Sequence, residues 1–283
     1  MPNWIDLYTR ELNELGPTGL TAMLEAGRRW DLAPVLAARG VIVFPHAAPH
    51  DCAHQTAAAV HACLDSGADK VLVVGVLHGW TPEMTDARQR VAAGEDLTGH
   101  PLRGLHGPDL PHSRPEWRLD HSLLTWRRLW RAECARRGVA GPVVREVFPF
   151  LAGMHPQTLP HYDALAHWAE DAVIVATTDP FHHGIGYGDG PGAARAPDAG
   201  GLDLAAASIA ESQRLLAARD YPAYLRHCLA ARSDARDAGP LYRELRGPLE
   251  CEVLDLVASD MTAAYEAPPP TWVAAALMAC RPV

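Results

Sequence analysis

Four short apolar runs punctuate the chain: 40-GVIVFP-45, 70-KVLVVGV-76, 143-VVREVFPF-150 and 172-AVIVATT-178. Each is rich in Val and Ile and bounded by Gly, Pro or charge, which predicts strands buried on both faces, as in a parallel sheet. A last run, 271-TWVAAALMA-279, fits either a strand or a helix. Between the runs, apolar residues recur at helical spacing over about 18–38, 52–66, 120–137, 159–170, 203–217, 219–231 and 248–264. This alternation predicts one α/β domain over 1–283, with a central, mainly parallel or mixed sheet flanked by helices on both faces. The Gly/Pro-rich stretches 98–115 and 184–201 are longer than simple connectors, and loops of that length are usually functional or mobile.

Composition narrows the function. With 48% hydrophobic and 21% charged residues, the 283-residue chain can bury a sizeable core. Its 34 acidic residues against 25 basic ones give a formal charge of −9, which argues against a nucleic-acid binder. No apolar segment approaches the roughly 20 residues that span a bilayer, and no signal-peptide pattern opens the chain, so a cytoplasmic protein without a membrane partner is expected. The cysteines at 52, 63, 134, 228, 251 and 280 show no CxxC spacing and are expected to be reduced, with no disulfide. The 15 histidines are the compositional feature that invites a chemical explanation.

In α/β sheets the active site lies beyond the carboxyl ends of the strands, so the side chains that follow each strand carry the most information. After the first run comes 44-FPHAAPHDCAH-54, with His46 at the strand end and His50 and His54 beyond it. The second is followed by His78 in 75-GVLHGW-80, and the fourth by Asp179, His182 and His183 in 177-TTDPFHHGIGYG-188. A single histidine at a strand end is usually a turn residue. Three strands delivering imidazoles to one edge suggest a metal site, since neutral imidazole is a common ligand. His50 and His54 either line the mouth of such a site or form a solvated helix face, His61 is a weaker candidate, and His100, His106 and His112 read as surface loop residues. Asp120 and His121 open the helical segment 119-LDHSLLTWRRLW-130, where the ordinary role of Asp120 is capping. In 246-RGPLECEVLDLV-257, Glu250 and Glu252 would lie in the first turn of a helix that follows Gly247-Pro248, where the helix dipole favours acidic residues. A carboxylate there could also complete a two-His, one-carboxylate site for Fe(II).

PHA at 45–47, GVLH at 75–78, DHSL at 120–123 and TTDPFHHG at 177–184 together resemble the superfamily that joins class III extradiol ring-cleavage dioxygenases with the Memo-like proteins. The resemblance runs from about residue 38 to the C-terminus, leaving 1–37 as an N-terminal helical extension outside the matched motifs. Where the Memo branch has Cys-Gly, this chain has Arg246-Gly247; the Gly-x-x-Glu of the dioxygenase branch is present as 247-GPLE-250. The resemblance therefore implies His46, His78 and Glu250 as ligands of Fe(II), with Glu252 and Cys251 as alternatives for the third. It also implies His182 as acid/base, His121 as a hydrogen-bonding group toward the substrate or oxygen, and Asp120 or Asp179 as an orienting carboxylate.

The reaction implied is O2-dependent cleavage or oxidation of a small aromatic diol or aminophenol. Two other readings stand beside it: a Memo-like metal- or peptide-binding protein without turnover, and a zinc-dependent hydrolase, because two histidines and a carboxylate also suit catalytic zinc. Substrate recognition is expected from the loops that contain Trp80, Trp117 and Tyr187. The resemblance leaves room for a homo-oligomer.

Overall fold

The computed structural model describes residues 3–111 and 113–283. At its centre is a mixed sheet of eight strands. The four apolar runs form β1 (Val41–Phe44), β2 (Lys70–Val74), β4 (Val143–Phe150) and β5 (Val173–Thr177), and a short β3 (Gly104–His106) precedes β4. The four are parallel in the order β4-β2-β5-β1, and β3 lies antiparallel on β4. Alternate side chains go to opposite layers. Ile42, Phe44, Val71 and Val73 meet α1 (Trp4–Gly27), α3 (Pro49–Asp65) and α5 (Leu124–Arg137). Val41, Val43, Leu72 and Val74 meet α6 (Tyr162–Ala169), α7 (Ala199–Ala217), α8 (Tyr221–Ala230) and α9 (Ala235–Arg246). Burial on both faces explains why these strands read as unbroken apolar runs rather than as an alternation.

The 271–279 run is a strand, β8 (Thr271–Pro282), antiparallel to β1. Its 12 residues outreach the four of β1, and β6 (Phe181–Gly184) pairs with the remainder. On the opposite edge of β8, β7 (Leu249–Asp260) pairs along the full length. Since β1 and β6 share one edge of β8, β6 extends beyond the carboxyl end of β1, and this carries His182 toward His46.

Two expectations are corrected here. Residues 249–260 form a strand, not a helix; a bulge between Val253 and Asp255 breaks its alternation and leaves Leu249, Val253 and Val257 at helix-like spacing. Cys251 and Cys280, opposite each other on β7 and β8, are joined in a disulfide, while Cys52, Cys63, Cys134 and Cys228 are free and buried. The helical N-terminal segment begins at Trp4 and is broken at Gly16, whose φ of +60° precedes Pro17. Continuing as α2 (Ala33–Ala37), it packs into the main core. Among the described residues no helix is long and apolar enough to cross a membrane.

Candidate metal centre

His46 stands two residues beyond β1, and its neighbours determine which ring nitrogen is free. Thr177 Oγ1 donates to the carbonyl of Phe44 at 2.9 Å and lies 3.1 Å from His46 Nδ1. With its own proton committed, the hydroxyl accepts from Nδ1–H, leaving a lone pair on Nε2. That Nε2 is buried and has no hydrogen-bond partner. Asp179, just past β5, fixes the turn by accepting the His46 backbone N–H at 3.0 Å.

His78 is set in the same way by Asp120. Asp120 Oδ2 accepts from His78 N–H at 2.8 Å, from His78 Nδ1 at 2.9 Å and from Trp80 Nε1 at 3.0 Å, and Oδ1 accepts from Ser122 N–H at 2.9 Å. Asp120 therefore serves β2 and does not cap α5, whose N-cap is Leu123. A carboxylate on Nδ1 orients an imidazole and makes Nε2 a better ligand, as outer partners in metal sites commonly do.

The third component, Asp234, was not anticipated from the sequence. It stands at the start of α9 without capping it; Ser233 Oγ accepts from Ala235 N–H at 3.1 Å instead. The segment is held in place by two backbone bonds, His182 N–H to Ala231 O at 3.1 Å and Asp234 N–H to Asp179 O at 3.1 Å. The Asp234 carboxylate is thereby directed among the histidines. Its Oδ2 lies 3.5 Å from Nε2 of each of His46, His78 and His182. Each of these separations from Asp234 is that of two neighbouring ligands on one first-row metal ion, for which ligand bonds are about 2.0–2.2 Å. Two sets of donor atoms lie within 4.8 Å of one another throughout: the ring nitrogens of His46, His78 and His121, and a His46 nitrogen with carboxylate oxygens of Asp179 and Asp234.

The electrostatics favour a cation. Burial disfavours a charged His78, but Asp120 and Asp234 more than offset it and raise the imidazole to about 10. Burial would likewise raise the carboxyls of Asp120 and Asp234, yet the surrounding imidazoles hold both well below the usual range. Two buried carboxylates thus demand positive charge, which a divalent ion supplies in place of a proton. Burial lowers His182, and burial together with the charge on His78 lowers His121, so both are neutral bases at pH 7.

These groups line a cavity of about 180 Å³ with aromatic walls. The His121 ring lies 5.7 Å from Trp4 and 5.2 Å from Tyr8, and Tyr187 lies 4.9 Å from the His182 ring and 4.7 Å from that of Tyr265. Trp4 and Tyr8 come from α1, which the motif pattern left outside the site. Tyr265 belongs to α10 (Thr262–Tyr265), which follows β7.

His46, His78, His121, Asp179 and His182 are thus brought together, whereas Glu250 is not. It is exposed near the start of β7 opposite Arg281, ten residues along the strand, or about 30 Å, from Asp260, which precedes the cavity-lining Met261. Glu252 is exposed and ion-paired to Arg281 at 2.9 Å, and Cys251 is in the disulfide. His183 turns away, with Nδ1 2.9 Å from Asp189 Oδ2 and Nε2 accepting Arg195 N–H at 2.9 Å. His50 is exposed, His54 pairs with Asp255 at 3.0 Å, and His61 is buried against the Leu24 carbonyl at 2.7 Å. His106, expected on the surface, is buried on β3, and His112 lies outside the described residues. Trp80 and Tyr187 border the site, while Trp117 packs on Phe148. The signal that could have found Asp234 is Ser233-Asp234 before a helix: two capping-type residues where one suffices.

Comparison of the chain with models of protein families and with curated proteins finds no match to either.

Proposed function

We propose that the chain is a non-haem Fe(II) dioxygenase of the class III extradiol type, using O2 on a small aromatic diol or aminophenol. The observation that carries the reading is the convergence of three Nε2 atoms on Asp234 Oδ2 at 3.5 Å, beneath aromatic walls. His46, His78 and Asp234 would hold the ion, since Thr177 and Asp120 orient the two imidazoles and Ser233 frees the carboxylate from capping. Bound Fe(II) supplies a Lewis-acidic, redox-active centre with open positions, at which an aromatic anion and O2 can be brought together.

The remaining steps fall to the protein. His182 has no partner on Nδ1 and is neutral, so it can take a hydroxyl proton from the substrate and return it later. His121 is held between Trp4, Tyr8, His78 and Trp80, where it can hydrogen-bond a substrate oxygen. Asp179 keeps the His46 turn rigid. Trp4, Tyr8, Tyr187 and Tyr265 enclose a space suited to a flat ring and limit water around the reacting groups.

A zinc-dependent hydrolase is the second reading, favoured by the same donor set and by Asp179 Oδ2 3.6 Å from His46 Nε2, a second carboxylate placed to act as a base. Metal content tests the site itself. After anaerobic loading with Fe(II) and desalting, the wild type and Glu250→Ala retain about one ion per chain, and Asp234→Ala retains background levels. Equal retention by Asp234→Ala, or loss from Glu250→Ala, would refute this ligand assignment.

A further inference from the structure

The histidine cavity adjoins a larger one of about 490 Å³, with Trp4, His78 and Tyr265 lining both. Two arginines, Arg88 from α4 (Pro82–Ala92) and Arg236 from the first turn of α9, line this outer cavity. Both also border an adjoining chamber of about 420 Å³, so they stand where the two spaces meet. Their side chains are only 12% and 20% exposed, and the Nε of each is buried without a hydrogen-bond partner.

The charges around them do not balance. Asp237 Oδ2 lies 3.7 Å from Arg88, while its Oδ1 accepts from the backbone N–H groups of Ala152 and Gly153 at 2.6 and 3.2 Å. Arg236 has Asp234 Oδ1 at 3.5 Å, but that carboxylate is committed to the metal centre. Arg88 also donates to the Leu77 carbonyl, and with the charge of Asp234 assigned to a bound ion the two guanidiniums and Asp237 together carry one net positive charge. Burial and the repulsion of Arg236 push Arg88 down to about 10, against an ordinary value of 12.5.

We propose that Arg88 and Arg236 bind the carboxylate of the substrate, which makes the substrate an aromatic acid whose ring lies at the histidines and whose anionic group lies at this pair. The inference rests on the metal-centre reading for the position of the ring. One net positive charge suits a monoanionic carboxylate better than a dianionic phosphate, and the planar fork of arginine matches carboxylate geometry. The short path from Arg236 to Asp234 puts the carboxylate on the ring or close to it.

Titration of the full chain with benzoate, 3,4-dihydroxybenzoate, catechol and phenyl phosphate, followed by calorimetry, tests this. Benzoate needs no metal, so its binding reads the arginines alone. The expected result is that 3,4-dihydroxybenzoate binds roughly 10- to 100-fold more tightly than catechol. Arg88→Met and Arg236→Met should each remove that advantage and weaken benzoate, and Arg236→Lys should restore part of it. Equal affinity for catechol and its acid, an advantage that survives both folded Met variants, or tighter binding of phenyl phosphate would each overturn the proposal. Metal content measured on the same samples separates the two readings. Retained iron without a carboxylate preference removes only the arginine site, whereas arginine-dependent benzoate binding in a chain that holds no iron removes the dioxygenase reading and leaves the anion site standing.

Discussion

Asp120 shows how much of the site depends on a residue that need not touch the metal. Its Oδ2 accepts three hydrogen bonds, two of them from His78, and it is buried. Asp120→Asn replaces a carboxylate by an amide that can turn an N–H toward His78 Nδ1, which loosens the ring and makes Nε2 a poorer donor. Metal affinity should fall about 10- to 100-fold, with the circular dichroism spectrum unchanged. A competitive chelator titration checks this, and an unchanged affinity would show that Asp120 is only a turn residue. At this scale the sequence was legible where a residue's position relative to a strand decides its place: His46, His78, Asp179 and His182 follow β1, β2 and β5. Asp234 was missed because Ser233-Asp234 offers two capping-type residues and the local sequence does not say which of them the helix releases. Glu250 was misplaced for the complementary reason: Gly-x-x-Glu is a local pattern, and the strand that carries it begins at the end farthest from the site and only reaches it ten residues later.

Among the elements, α5 is tied to α1 and α3 through one buried carboxylate. Glu133 accepts from Arg28 at 2.8 Å, from Arg136 at 2.7 Å and from Arg137 at 2.6 Å, and lies 3.4 Å from His61 Nδ1. Burial alone would raise its carboxyl, but Arg136 and Arg137 outweigh it and hold the group down to about 2. A carboxyl lowered in the folded state contributes stability that is fully present above its unfolded value near 4.5 and is lost as pH falls through its folded value near 2. Glu133→Gln should therefore cost about 1.5–3 kcal/mol at pH 6, and the gap to wild type should narrow between pH 4.5 and 2. Thermal melts at several pH values measure it; a gap that is constant with pH would mean that the ion pairs contribute nothing.

The elements that escaped the sequence reading did so for physical reasons. Residues 235–246 form a helix despite Pro240, the sixth of its 12 residues, and despite Gly239, where packing against α8 calls for glycine because a Cβ would meet the Tyr224 hydroxyl at 2.2 Å. Bulged β7 lost its period of two. Helix α4 has little apolar pattern to announce it: only Met84 and Ala87 are buried.

For the whole molecule, the α/β class followed from strands so thoroughly buried that their composition alone marks them. What composition cannot convey is which distant segments meet. The N-terminal helix supplies Trp4 and Tyr8, the loop after β2 supplies His78, and the connection from α8 to α9 brings Arg232 and Asp234 to the same cavity. Under the proposed function this assembly is a centre for oxygen chemistry on an aromatic ring, and oxygen uptake is the most direct test of it. Oxygen uptake is recorded with anaerobically Fe(II)-loaded chain and a panel of catechols, aminophenols and their carboxylic acids, with Zn(II)-loaded chain and Asp234→Ala as controls. The account predicts iron-dependent uptake with loss of the aromatic absorbance, absent from both controls. Stoichiometric iron with no uptake from any member of the panel, or uptake undiminished in Asp234→Ala, would contradict it.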